Sequence, residues 1–301
     1  SASSADRMSA RPLSTASICV AIGLAYRAAA VLVCVAFGAH FLFDKALYLN
    51  HYYAAWLFSL LLIVVPAHAT WSVDGWLRRG RAAAPVAARW AVWLLRFQVG
   101  VVYVYGGIAK IDHDWLRGIP VRMWSGRQLD VPFVRFLVER QWDVPVIAHG
   151  GLLFDLLVVP ALLWRRTRLP AAVVALVFHL LNSQLFHIGI FPWMMIAATT
   201  IFFDPAWPRA VGAVLREGEV PQGAPDVRPA ASSLPRGGAL LLGCYVLVQC
   251  AMPLRHLLYP GDVNWTDEGQ TFSWQMMAKV KLGTATFIAD TPAGSVRIDP
   301  S

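Results

Sequence analysis

Long apolar runs alternate with short charged ones along most of the chain. The apolar runs cover about residues 14–42, 51–69, 90–109, 146–164, 169–186, 187–203 and 237–257. Most are close to the roughly 17 to 25 residues that a helix needs to cross a bilayer core. The pattern predicts an all-α polytopic membrane protein with about seven transmembrane helices. Basic residues orient it. Arg78, Arg79, Arg81 and Arg89 follow the second run, and Arg165, Arg166 and Arg168 follow the fourth. The positive-inside rule makes both loops cytoplasmic. The mixed-sign loop 110–143 and the turn 43–50 then face outward, and the N-terminus lies inside. The stretch 169–203 is too long for one span and is interrupted by NSQLFHIG, Asn182 to Gly189. Two short spans meeting at an outer break return the 204–236 loop, with Arg209, Arg216, Arg228 and Arg236, to the inside.

The pattern changes at both ends. Residues 1–13 are polar and predict a disordered leader ahead of a transmembrane domain over 14–257. Beyond residue 257, VKLGTATFIAD, a Pro/Gly turn and SVRI predict a β-hairpin, so 258–301 is expected to form a small extracytoplasmic β-rich cap. Composition agrees with a membrane protein. The 301 residues are 57% hydrophobic and 15% charged, against about 25% charged in soluble domains. The net charge of +8 does not mark a nucleic-acid binder, because the basic residues sit in short clusters between apolar runs. Cys19, Cys34, Cys244 and Cys250 lie in apolar segments without CxxC spacing, which implies neither a disulfide framework nor a zinc site.

The predicted topology gathers Asn50, His51, Lys110, the Asn182 break and the C-terminal segment at one membrane face. Asn50 and His51 open the second run, where Asn is a good N-cap. His179 and Asn182 are three apart, on one helix face, with Gln184 and His187 beyond. Polar side chains in membrane helices face the bundle or a cavity, so this pair either bonds a neighbouring helix or walls a site. No carboxylate accompanies the histidines at ligand spacing, so no metal is expected. Trp274, Met276 and Met277 in FSWQMM either pack the cap or offer a stacking wall to a flat ring. Arg27, inside the first run, would cost at least about 2.5 kcal/mol unpaired. Asp155, inside the fourth run, is its expected partner.

Lys110, in YGGIAKIDHDWLRG, admits two readings. A lysine at a helix end snorkels to the interface. A desolvated lysine instead loses its charge and serves as a base. Close pairing with Asp112 or Asp114 would oppose that second role. Gly106 and Gly107, one turn earlier, leave room for another helix or a flat ring.

Several segments, in this order, resemble one family: FDKALYLNHYYAAWLF, TWSVDGWL, YGGIAKIDHDWLRG, HGGLLFDL, FHLLNSQLFHIGIFPWMM, FFDPAWP and NWT…FSWQMM. The family is the vitamin K-dependent γ-glutamyl carboxylases and their bacterial relatives with a horizontally transferred transmembrane (HTTM) domain. The resemblance implies a carbon–carbon lyase. In that chemistry vitamin K hydroquinone, as phylloquinol or menaquinol, is deprotonated and reacts with O2. The strong base so formed removes a glutamyl γ-proton, CO2 captures the carbanion, and the vitamin leaves as its 2,3-epoxide. The resemblance makes Lys110 the base, Asn50 and His51 the pair that orients the quinol oxygens, and His179 and Asn182 a second polar wall. Trp274, Met276 and Met277 would pack the ring. It implies no metal, a glutamyl peptide or protein as acceptor, membrane lipid around the helices, no nucleic acid, and a bacterial inner membrane with the site on the extracytoplasmic side. The chain departs from the animal enzymes, which carry a large lumenal C-terminal domain after this point. It is therefore expected to be a relative lacking that domain, with quinol oxygenation implied more strongly than carboxylation. A quinol epoxidase with another acceptor and a non-catalytic quinone-binding membrane protein remain as other readings.

Overall fold

The computed structural model describes residues 4–43, 47–69, 72–77, 88–186, 188–205, 207–208, 211–212, 234–276, 286–291 and 294–298, and most of them are helical. The longer helices are α1 (Ser4–Ile22), α2 (Tyr26–Leu42), α3 (Asn50–Val64), α5 (Arg89–Ile108), α9 (Gly150–Leu163), α10 (Arg168–Leu185), α11 (Phe191–Thr199) and α12 (Arg236–Ala251). A short α4 covers Val73–Leu77. A π-helical turn, Val144–His149, leads into α9, and 3-10 turns prolong α11 to Phe202 and α12 to Leu258. Among the described residues four apolar stretches are long enough to cross a membrane: Arg89–Ile108, Val144–Leu163, Arg168–Leu185 and Arg236–Leu258. Leu13–Ile22, Tyr26–His40, Asn50–Val64 and Phe191–Phe202 are apolar but shorter.

The run 14–42 is not one helix. It breaks at Gly23–Ala25, where Gly23 (φ 68°) and Ala25 (φ 44°) are left-handed, and α1 packs back along α2. Left-handed backbone disfavours alanine, and a distant carboxylate holds it. Asp74 accepts from the backbone N–H of Ala25 and Tyr26, at 2.9 and 3.0 Å, and its own N–H donates to Gly23 O at 3.0 Å. These bonds use donors that a helix start leaves open. Arg27 therefore sits in the first turn of α2, exposed, and donates to Ile63 O rather than to Asp155. At the other end, α1 is helical from Ser4, so most of the stretch expected to be a disordered leader is helix; its alanines, methionine and arginines are adequate helix formers.

The core is built where α3, α5, α9 and α11 meet, around Leu57, Val102, Leu162, Met195 and Phe202. Apolar residues on the far sides of α9, α10 and α12, such as Leu157, Val177 and Leu247, stay exposed. In lipid these faces gain nothing by burial, so close backbone packing sets which helices touch. Gly107 shows this on α5. A Cβ there would lie 2.7 Å from Leu156 Cδ2 and 3.2 Å from Asp155 Cβ, both on α9.

The segment 110–143, expected to be a loop, holds three short helices: α6 (His113–Leu116), α7 (Ile119–Ser125) and α8 (Pro132–Glu139). The break between α10 and α11 falls at residues 186–190, with Gly189 at φ 55°. After a last short helix, α13 (Val263–Thr266), β1 (Phe287–Thr291) and β2 (Gly294–Ile298) pair antiparallel, Phe287 opposite Ile298. Residues 277–285 and 292–293, the rest of the expected hairpin, lie outside the described residues.

Candidate active site

The starts of α3, α9 and α11 and the ends of α5 and α10 converge at one end of the bundle around a cavity of about 320 Å³. Lys110 stands just past the end of α5 and turns inward. Its amine donates to Asp155 Oδ2 at 2.5 Å and to Gly106 O at 3.2 Å, and lies 5.3 Å from the Trp115 ring centroid. Both members of the pair are buried and both line the cavity. Removing one partner would leave an uncompensated charge in the interior, which is strongly destabilising. Asp112 is not a partner of Lys110. Its carboxylate caps α6, accepting from Asp114 N at 2.9 Å and Trp115 N at 3.4 Å.

Asn50 and His51 form the wall that α3 contributes. Asn50 is the first residue of α3 and not its N-cap, which is Leu49 without a capping side chain. The Asn50 amide looks across the chain instead. Its Nδ2 donates to Gln275 O at 3.2 Å, and its Oδ1 accepts from the Tyr48 hydroxyl at 3.2 Å. His51 is half-buried, with its ring edge-on to Tyr52 at 4.7 Å.

α10 supplies the facing wall. His179 is fully enclosed, its Nε2 2.6 Å from the Tyr103 hydroxyl, with Phe178 at 5.3 Å and Phe191 at 6.2 Å around the ring. Its Nδ1 has no hydrogen-bond partner among the described residues. A buried polar nitrogen is rarely left so. Asn182 lines the same cavity one turn further on, and Met276 closes it from the segment after α13.

The cavity thus brings together Asn50, His51, Lys110, His179, Asn182 and Met276. Trp274 is not among its lining residues. It is wholly buried in the core against Tyr53, ring centroids 5.0 Å apart, with a left-handed backbone at φ 58°. Met277 and His187 lie outside the described residues. Among the described residues no three His, Cys, Asp or Glu side chains cluster as metal ligands would.

Sequence reasoning missed three members. Asp155 was assigned to Arg27, although both are lone charges in apolar runs and Lys110 was the other cation available. Tyr103 is on α5, seven residues before Lys110, a spacing of two helical turns that periodicity could have shown. Trp115 carried a weaker signal, since its Nε1 donates to Ala148 O, at 3.0 Å, across the contact between α6 and the π-helical turn before α9.

Fold and site define a helical membrane protein with a buried lysine–carboxylate pair in a polar-walled cavity at one end of its bundle. Residues 12–207 match the HTTM domain, and residues 236–298 match the lumenal domain of vitamin K-dependent gamma-carboxylase. The chain belongs to the HTTM-containing gamma-carboxylase family. The lumenal-domain match starts with α12, so it takes in the last long helix as well as the segment expected to be a small cap. No solved structure matches the chain.

Proposed function

We propose that this protein oxygenates vitamin K hydroquinone, as phylloquinol or menaquinol, and uses the base so produced to γ-carboxylate glutamyl residues of a peptide or protein. One observation carries this reading: Asn50, His51, Lys110, His179 and Asn182, from three separate parts of the chain, line a single cavity. At about 320 Å³ the cavity is at the small end of the range for small-molecule sites, and most of its wall is apolar or aromatic. That suits a bicyclic ring with two oxygens at opposite ends.

The roles follow from atom types. Lys110, with Asp155, is the group at the hydroquinone hydroxyl and takes its proton. The free N–H of Asn50, with His51, steadies the oxygen on which negative charge develops. His179 offers its unpartnered Nδ1, and Asn182 its amide, to the opposite side of the ring. Tyr103 fixes the His179 ring by holding Nε2. The quinol with O2 supplies a base far stronger than any side chain, and CO2 is the second co-substrate. The shorter apolar helices complete a bundle of about seven spans in a bacterial inner membrane, with the cavity opening to the extracytoplasmic face and the C-terminal segment over it.

Epoxide formation from phylloquinol and O2 tests the reading. Lys110→Ala is expected to lower the rate per folded molecule by about 100-fold or more, and to lower Tm as well because it strands the Asp155 carboxylate. Full activity in that variant would remove Lys110 as the base. Labelled CO2 entering a glutamyl peptide separates a carboxylase from an epoxidase with another acceptor.

A further inference from the structure

We propose that Asp155 and Lys110 act as one proton-accepting unit, in which Asp155 positions Lys110 and takes the proton that Lys110 already shares. The inference rests on Lys110 being the base for the hydroquinone. The pair is close, at 2.5 Å, and buried. Both members also line the cavity, where they are the only Asp, Glu, Lys or Arg among the described residues. A pair serving helix attachment alone has no need of the cavity wall. The approach of α9 is arranged for it. Gly107 admits Asp155 and Leu156 at distances that a side chain would block. Gly106 O then takes a second Lys110 N–H.

The arrangement answers how a lysine beside a carboxylate can be a base. An ammonium accepts no proton. A pair holding one proton between nitrogen and carboxylate accepts a second. The hydroquinone O–H bond breaks and its electron pair stays on oxygen. The proton goes to Lys110 Nζ, and the proton previously shared passes to Asp155 Oδ2. The cavity keeps its net charge, with a hydroquinone anion facing an ammonium and a carboxylic acid. No further reactant is required.

This unit is inactivated when bulk solvent supplies the second proton. A lysine without the carboxylate is inactivated by its first proton rather than its second. Loss of Asp155 therefore moves the acid side of the pH–rate profile toward higher pH. The other groups facing the pair are His51 from α3, Tyr103 on α5 and His179 on α10, while Asp112 is engaged at α6. They are common to all variants, so the shift between variants isolates Asp155.

The test uses the full chain in detergent with phylloquinol and O2, comparing wild type, Asp155→Asn and Asp155→Glu from acid to about pH 10. Asp155→Asn is expected to run at least tenfold below wild type at neutral pH and to recover as pH rises, while Asp155→Glu keeps the wild-type acid limb. A folded Asp155→Asn whose profile parallels wild type, or which never recovers, overturns the proposal. Thermal melting gives a readout without turnover. Asp155→Asn should lower Tm at neutral pH more than at about pH 10, and Lys110→Met should remove that difference. An Asp155→Asn effect that is the same with and without Lys110 also overturns it. Absence of epoxide from the wild type would refute the hydroquinone reading, and the melting cycle would still decide the pairing.

Discussion

Asn50 owes the orientation of its amide to Tyr48. The Tyr48 hydroxyl accepts the Phe272 N–H at 2.7 Å, so its single proton goes to Asn50 Oδ1. One Asn50 N–H is held by Gln275 O, which leaves the other for the cavity. Burial pushes the Tyr48 phenol above its ordinary range, so it keeps that proton at any working pH. Phe272, the donor to this hydroxyl, is itself left-handed at φ 67°. Tyr48→Phe should therefore let the amide turn its carbonyl toward the ring. Epoxide formation is expected to fall about tenfold, equivalent to about 1.4 kcal/mol, against about 100-fold for Asn50→Ala, the lower range for a lost oxyanion donor. Because Tyr48 works through Asn50, the double variant should be no slower than Asn50→Ala; additive losses would give Tyr48 a separate role. The sequence made Asn50 visible as a polar residue opening an apolar run. The N-cap role expected for it fails because its amide is held by the Tyr48 hydroxyl, two residues back, and by Gln275 O, 225 residues further along the chain.

Helices were legible where apolar periodicity and charge agreed. The expected run 90–109 is α5, Arg89–Ile108, and 169–186 is α10, Arg168–Leu185. The break at NSQLFHIG was legible because polar groups at membrane depth need a cavity to face. The run 14–42 failed for the opposite reason. Its apolar pattern continues through Gly23–Ala25, and nothing local announces a turn. What fixes the turn is Asp74, on α4, which bonds three backbone groups there. Replacing Asp74 by alanine is expected to destabilise the protein by about 0.5 to 2 kcal/mol, the range for a lost helix cap, read as a lower Tm. Asp74 does not line the cavity, so the remaining folded protein should form epoxide at the wild-type rate. A Tm equal to wild type would mean that the left-handed turn stands without its carboxylate. The short helices α6 to α8 were not legible because each is shorter than the window in which a helical period can be counted.

At the scale of the whole molecule, the ends that meet at the cavity alternate: α3 starts there, α5 ends, α9 starts, α10 ends and α11 starts. Each helix therefore carries the chain from one end of the bundle to the other, even α11, whose apolar stretch Phe191–Phe202 is shorter than the roughly 17 residues of an independent span. Arg165, Arg166 and Arg168 join α9 to α10 at the end away from the cavity. If these arginines are held in the cytoplasm, the cavity opens outward. The segment after α12 folds over that same end, through Met276 in the cavity wall and Phe272 on Tyr48. A lipid-borne quinol and a water-soluble acceptor would then approach one site from different phases. Cysteine labelling tests this in cells, in a background with Cys19, Cys34, Cys244 and Cys250 replaced. A cysteine at exposed Glu139, in α8, should react with an impermeant maleimide added outside, and one at exposed Arg166 only after permeabilisation. The reverse pattern would turn the cavity to the cytoplasm, where a glutamyl acceptor would have to be met before export, and would count against an extracytoplasmic carboxylase.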